Sequence, residues 1–415
     1  MREKMNSRER RTVLFLGVSH ALTHSMMLTF PAILIPLMKE FHLDLFGVGL
    51  LGNIGYLLYG MGALPAGLLA DRWGARRVLI SFLLGSTLAC LLIFLSRGLM
   101  GMALGFLVAG AAAGLYHPAG LSYLTQAVRL RGKALGYHGM SGNIGLAVAP
   151  ALAGWVAVSV GWRWDYLILS FMFGLVAILG WRSTFWLDTG LGEGVEEVVE
   201  EGSNEDTARV PLLFLYIIMV FSGFIYRGYL TYLPTYLSMG AAGGGRWELS
   251  VRGAGFVTSA ALGLGVFGQW LGGHLSQRYR LELLGLSVIL SAVPFLFLTS
   301  FASGGMLIAA TSLFIFFYFG WQPVGNGLIA KYTPQRLRSL GFGISFTLSF
   351  GAGSFASSVA GYIGEYFGLN RVFLFLSVLL SIVFFLSVAL MRLAGPRRRI
   401  VSKQGVLGQG GWNGT

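Results

Sequence analysis

Gly114-Leu-Tyr-His-Pro-Ala-Gly120 lies deep inside one long apolar segment, and Gly320-Trp-Gln-Pro-Val-Gly325 lies deep inside another. Histidine, glutamine and proline are costly in such surroundings. A proline removes an amide hydrogen and leaves a carbonyl unpaired, which a membrane tolerates only beside protein or a water-filled cavity. The two stretches are also in register. Pro118 and Pro323 are 205 residues apart, as are Gly120 and Gly325, and Leu135-Gly-Tyr137 and Leu340-Gly-Phe342; Gly67 and Arg72 recur as Gly273 and Arg278 at 206. Matching offsets in separate places indicate a duplicated chain, with the two opening stretches expected to face each other across a central pathway.

The surroundings of these stretches are those of a membrane protein. The 415 residues are 55% hydrophobic and 11% charged, with mean hydropathy +0.70, too little polar surface for a water-soluble fold of this length. A net charge of +13 would suggest nucleic acid in a soluble chain. Here the basic residues punctuate apolar segments, so no nucleic-acid partner is expected and the charge reads as membrane topology. The single cysteine, Cys90, falls in an apolar run and has no intrachain disulfide partner. Behind the charged start Met1–Arg11 the apolar stretch outruns a signal peptide and reads as a retained first helix.

A spanning helix needs about 20 mostly apolar residues. Twelve such segments can be marked, at 12–37, 47–70, 78–96, 99–127, 134–159, 165–182, 210–238, 252–275, 283–301, 304–330, 339–364 and 371–391. The predicted fold is therefore all-α, with twelve transmembrane helices in two pseudo-symmetric six-helix bundles. Its predicted parts are an N-terminal bundle at 1–182, an acidic cytoplasmic linker at 183–209 rich in glutamate, a C-terminal bundle at 210–391 and a basic, disordered tail at 392–415. Six helices, an even number, separate the repeats, so both halves enter the membrane in the same direction. With the N-terminus inside, Lys39, Arg97, Arg163, Arg246, Arg252 and Arg371 fall outside and Arg227 within a span, while the other 23 of the 30 basic residues are cytoplasmic. This bias puts both termini in the cytoplasm, in a multi-pass protein of the plasma or inner membrane.

Gly67-Leu-Leu-Ala-Asp71-Arg72-Trp-Gly74-Ala-Arg76-Arg77 resembles the G-x-x-x-D-R-x-G-R-R/K loop between helices 2 and 3 of the major facilitator superfamily. The twelve spans, mid-chain linker and half-length repeat extend that resemblance over nearly the whole chain. It implies a secondary transporter in which Gly67, Asp71, Arg72, Gly74, Arg76 and Arg77 form a conformational latch. A carboxylate at a helix end can pair with arginines or a helix N-terminus in one state and release them in another. In the second-half copy Gln277 replaces the aspartate, so a latch there is weaker. Gly136, Gly145, Pro150 and Gly154 resemble the antiporter-associated glycine pattern of helix 5, with Ala149 and Ala153 in place of two glycines. Small residues and proline at this spacing suit a bend or hinge, a role also expected of Pro118 and Pro323. Gly105-Phe-Leu-Val-Ala-Gly110 lacks the helix-4 arginine of many proton-linked drug exporters, so that coupling scheme does not transfer. The Gly114-x-x-His-Pro118 arrangement and the histidines of helix 1 look most like the fosmidomycin-resistance-like group of exporters.

Ionisable groups inside a span are functional candidates because burying them is expensive, about 2.5–3.5 kcal/mol for a central arginine on insertion scales. Arg227 on helix 7 is the foremost, able to bind a substrate carboxylate or phosphate unless it snorkels to the surface. His20 and His24, four apart, share a helix face, His117 lies past the middle of helix 4 and His138 begins helix 5. With an ordinary pKa of about 6.5, histidine is the expected internal proton carrier. Tyr116, Gln322 and Asn326 complete the expected site; Gln269 on helix 8 is weaker, and Asn53, Tyr56 and Tyr59 on helix 2 read equally as helix contacts. No catalytic residues, metal or cofactor are expected, since no nucleophile and base spacing, metal-ligand cluster or phosphate-binding loop appears. The reading is a monomeric, non-enzymatic transporter in the lipid bilayer, working by alternating access with proton-coupled export of a small, anionic compound. Its rivals are proton-linked uptake of an organic acid and a non-transporting receptor or scaffold.

Overall fold

The computed structural model describes residues 4–183, 186, 209–239, 248–334 and 337–394. Every regular element among them is helical: α1 Ser7–Ala32, α2 Leu34–Phe41, α3 Leu45–Met61, α4 Ala63–Trp73, α5 Ala75–Leu95, α6 Leu99–Gly114, α7 Tyr116–Ala127, α8 Arg131–Ser159, α9 Arg163–Arg182, α10 Arg209–Met239, α11 Val251–Ser276, α12 Leu281–Thr299, α13 Gly304–Tyr332, α14 Arg338–Phe346, α15 Ala356–Phe367 and α16 Leu369–Leu393. The starts of several are encoded locally. Asn6 Oδ1 accepts from the Glu9 amide at 2.9 Å while Glu9 Oε2 accepts from the Asn6 amide at 2.8 Å, and Asp44 and Ser250 cap α3 and α11 through the Gly47 and Gly253 amides.

Ten helices, counting α6 and α7 as one, are long and apolar enough to cross a membrane. Two further crossings are interrupted, so neither is a single long helix. Helices α3 and α4 join through Gly62, whose amide donates to the Leu58 carbonyl at 2.8 Å and whose carbonyl accepts from Ala66 at 3.0 Å, so 45–73 runs as one rod. From 338 to 367 the chain passes from α14 through a π-helical turn, Thr347–Gly351, and a tighter turn, Ala352–Phe355, into α15. The 113° bend between α2 and α3 is not a broken span: it falls at His42, in the left-handed region at φ 52°, where the chain turns from one crossing to the next. Lys4 and Ala394, the first and last described residues, then share a face, called here the terminal face.

The helices meet backbone to backbone through glycine. A methyl on Gly110 would overlap the Gly55 carbonyl between α6 and α3, and one on Gly268 or Gly272 would overlap the Phe316 or Gly320 carbonyl between α11 and α13. The second and fourth crossings thus touch in the same way in each half of the chain, as close packing by small residues allows.

Links between the first six crossings and the last six are concentrated from mid-depth to the face opposite the termini. Glu365 Oε2 accepts from the Leu45 amide at 2.9 Å, Asn53 Nδ2 donates to Ser358 Oγ at 2.7 Å, and Tyr232 Oη reaches the Leu45 and Ser357 carbonyls at 2.9 and 2.7 Å. Between α8 and α11, Asn143 Nδ2 donates to Gln269 Oε1 at 2.7 Å and the Ala151 amide to Ser259 Oγ at 2.8 Å. The linker and tail lie largely outside the described residues. Trp186 of the linker is described and is buried: its indole donates to the Gly180 carbonyl at 2.7 Å and packs edge-on against Phe15. At the other end α16 runs on to Leu393, two residues past the point where the sequence places the tail.

Candidate functional site

Helical spacing places His20 and His24 one turn apart on α1, and tertiary packing brings α7 and α8 to them. His20 Nδ1 donates to the His138 carbonyl at 2.8 Å, and the two imidazoles stack with centroids 4.1 Å apart. A backbone carbonyl only accepts, so this bond puts the His20 proton on Nδ1 and leaves a lone pair on Nε2. That Nε2 lies 3.0 Å from His24 Nε2. Tyr116 Oη donates to the Leu16 carbonyl at 2.5 Å and lies 2.9 Å from His138 Nε2. His117 turns edge-on to His20 and His24, with centroids 5.0 and 5.6 Å away, and its Nε2 is buried without a hydrogen-bond partner. Gly142 makes the arrangement possible, because a methyl there would sit 2.6 Å from His20 Nδ1.

Arg227 stands beside this group. It is only 3% exposed, so it does not snorkel, and its Cζ lies 3.5 Å above the Tyr56 ring of α3. Among the described residues its Nε and Nη1 have no hydrogen-bond partner and no carboxylate pairs with it. The Tyr56 hydroxyl is held by the Met27 carbonyl at 3.1 Å. Arg227 is close enough for its charge to act on His24, Tyr59 and Tyr226. Towards the terminal face an aromatic layer covers the cluster: Phe346 packs on Phe350, Tyr59 and His117 at 4.5, 5.6 and 5.3 Å, and Phe350 reaches Tyr226 at 6.1 Å. Among the described residues Arg227 is a buried cation without a counter-ion, flanked by imidazoles and aromatic rings, an arrangement that can chemically accept an anionic group.

The structure brings together His20, His24, Tyr116, His117 and Arg227, but not the two opening stretches. Gln322 and Asn326 are exposed, one turn apart on α13, with no hydrogen bond to Arg227 or the histidines. Trp321 is buried against Gly285 of α12. Pro118 follows a break at Leu115 between α6 and α7, whereas Pro150 and Pro323 sit inside unbroken helices. Gly145 packs against the Ala21 backbone of α1, and Gly154 lies against Val251 of α11, where an added methyl would come 2.8 Å from the carbonyl oxygen. In the loop motif Gly74 adopts φ 83°, a conformation that requires glycine, while Gly67 faces open space. Asp71, Arg72 and Arg77 are exposed, and Asp71 makes no ion pair among the described residues. Arg76 donates to the Trp181 carbonyl at 2.9 Å. Sequence reasoning did not single out two buried carboxylates near the terminal face, Glu9 bonded by Arg129 and Glu282 bonded by Lys331, Tyr332 and Arg280. Nor did it assign Tyr56 to Arg227, for aromatics are too common in this chain to stand out.

Comparison with known proteins agrees with this architecture. The model of the family described as Major Facilitator Superfamily matches residues 13–246 and 244–409. The quinolone resistance protein NorB of Staphylococcus aureus (strain Newman) is 27% identical over 236 residues, covering 56% of this chain and 45% of NorB, so the match spans under half the length of that relative. Among solved structures, a bacterial homologue of the human lysosomal transporter Spinster, inward-facing and unoccupied, superposes with TM-score 0.73 at 16% identity over 94% of this chain and 98% of its own. The nucleoside transporter NupG does so with TM-score 0.71 at 13% identity over 92% and 100%.

Proposed function

The chain belongs to the Major Facilitator Superfamily, a family of secondary transporters, and on that premise we propose that it exports a small anionic compound by alternating access. The observation that carries the proposal is Arg227, a guanidinium buried at the junction of α10 and α3 with an aromatic ring as its neighbour and two free donors. An uncompensated charge of this kind costs several kcal/mol, and an incoming carboxylate or phosphate with matching fork geometry offsets that cost. His20, His24, Tyr116 and His117 lie in the cluster beside Arg227 and would add polar contacts, while Gln322 and Asn326, exposed on α13 and away from that cluster, are proposed only as substrate contacts of another conformation. Export is favoured over uptake by the similarity to a quinolone resistance protein. Protons are the proposed coupling ion, with both termini in the cytoplasm and the protein in the plasma or inner membrane as a monomer.

The test is a thermal-shift screen of organic anions on the purified protein, then flux of the best binder in liposomes. Arg227→Ala should abolish the anion-induced shift, and Arg227→Lys should weaken it by about tenfold, since an ammonium keeps the charge and loses the planar fork. Intact anion binding in Arg227→Ala would remove the residue from the site. Direction follows from comparing right-side-out with inverted vesicles at opposite proton gradients; accumulation only in inverted vesicles supports export.

A further inference from the structure

We propose that His20, His24 and His117 form a site for a divalent transition cation of the zinc class. One ring nitrogen from each lies within 4.8 Å of the others, although His117 is far from the first two in sequence. A tetrahedral ion bound at about 2.0–2.1 Å by imidazole nitrogens wants its ligands about 3.3 Å apart. The His20 and His24 Nε2 atoms are already at 3.0 Å, and a His117 ring nitrogen lies within 4.8 Å of theirs.

Three features go beyond proximity. His20 donates its Nδ1 proton to a backbone carbonyl, the outer-shell bond that orients a metal-binding imidazole and frees its Nε2 lone pair. Its ring is also fixed by stacking on His138 and by the absence of a side chain at Gly142. His117 Nε2 is buried and, among the described residues, has no hydrogen-bond partner, which an ion would supply. Neutral imidazole ligands without oxygen select zinc, cobalt or nickel and not magnesium or calcium. The cluster contains no carboxylate, and the charge of Arg227 acts on His24. The bound cation therefore takes an anion as its fourth ligand, which offsets charge that three neutral rings cannot. The proton on whichever nitrogen of His24 meets the ion moves to the other ring nitrogen.

The experiment is titration of the purified full-length protein with Co2+, followed by its visible absorption. Four-coordinate cobalt gives intense bands that Zn2+ removes by displacement. We expect one equivalent to bind with such bands, and binding at least about tenfold weaker in His24→Ala and in His117→Ala, since loss of even an outer-shell partner costs 10–100-fold. The double variant His42→Ala, His274→Ala, which removes two of the three other histidines and leaves His138 stacked on His20, should bind as the parent does. His117→Ala loses no hydrogen bond at Nε2 in the metal-free protein, so it can be compared as a folded sample. Absence of the bands in the parent protein, or unchanged cobalt affinity in both single variants, would overturn the proposal. Anion flux in chelator-treated liposomes reports on transport alone, so a failure there is distinguishable from a failure here.

Discussion

At Arg227 two contributions can be separated by substitution at its neighbour. If the ring face of Tyr56 stabilises the guanidinium, Tyr56→Phe keeps it and loses only the hydroxyl's hydrogen bonding, that to the Met27 carbonyl included, at a cost of about 1 kcal/mol. Tyr56→Leu removes the ring as well and should cost about 2 kcal/mol more for a desolvated cation. Thermal unfolding of the two variants in one detergent would show it, and equal losses would mean that the ring face contributes nothing. Gly142→Ala makes a second residue-scale prediction. The added methyl displaces the His20 ring, so stability should fall by about 1–3 kcal/mol and cobalt binding should weaken with it. Much of this site was legible in the sequence: a charge within an apolar span and two histidines four apart announce themselves. The arrival of His117 was not, because helix periodicity relates neighbours along one helix and is silent about which other helix packs there.

The element with least precedent in the sequence is the stretch from Thr347 to Phe355. Its residues are apolar or small and contain no proline, so 339–364 reads as one continuous helix. The break arises from packing. Gly60 of α3 and Gly223 of α10 press backbone to backbone on Gly351 and Ser349, and the wider π turn fits between them. Proline gives the reverse lesson, since Pro150 and Pro323 leave their helices unbroken. Gly223→Val should accordingly prevent correct packing, seen as a loss of monodisperse protein or a fall in stability of more than about 3 kcal/mol. Gly67→Ala, with nothing near the added methyl, should stay within about 0.5 kcal/mol of the parent. Similar effects of the two would refute the packing account.

For the whole molecule, the apolar segments marked twelve crossings; among the described residues ten are long apolar helices and the second and eleventh are interrupted. Which face is sealed is a property of one conformation, and no residue pattern reports it. The bonds of Glu365 to Leu45 and of Asn53 to Ser358 tie the side opposite the termini. Removing both with Glu365→Ala and Asn53→Ala takes away about 1–3 kcal/mol, enough to move an evenly balanced equilibrium five-fold or more towards opening there. Spin-label distances between the start of α3 and the end of α15 should lengthen; an unchanged distribution would show that apolar packing alone holds that side.

The perch of Arg227 on Tyr56 has one more consequence. The cation belongs to α10 and the ring to α3, so any rocking that parts these helices leaves an empty protein with a bare guanidinium in a poorly screening interior. On the proposed function, an anion seated on the arginine would let the ring be surrendered without that penalty, and the contact would act as an interlock against slippage, holding the vacant carrier and releasing the loaded one. Exchange of labelled for unlabelled substrate should outrun net efflux, and Tyr56→Leu should narrow the gap between the two rates.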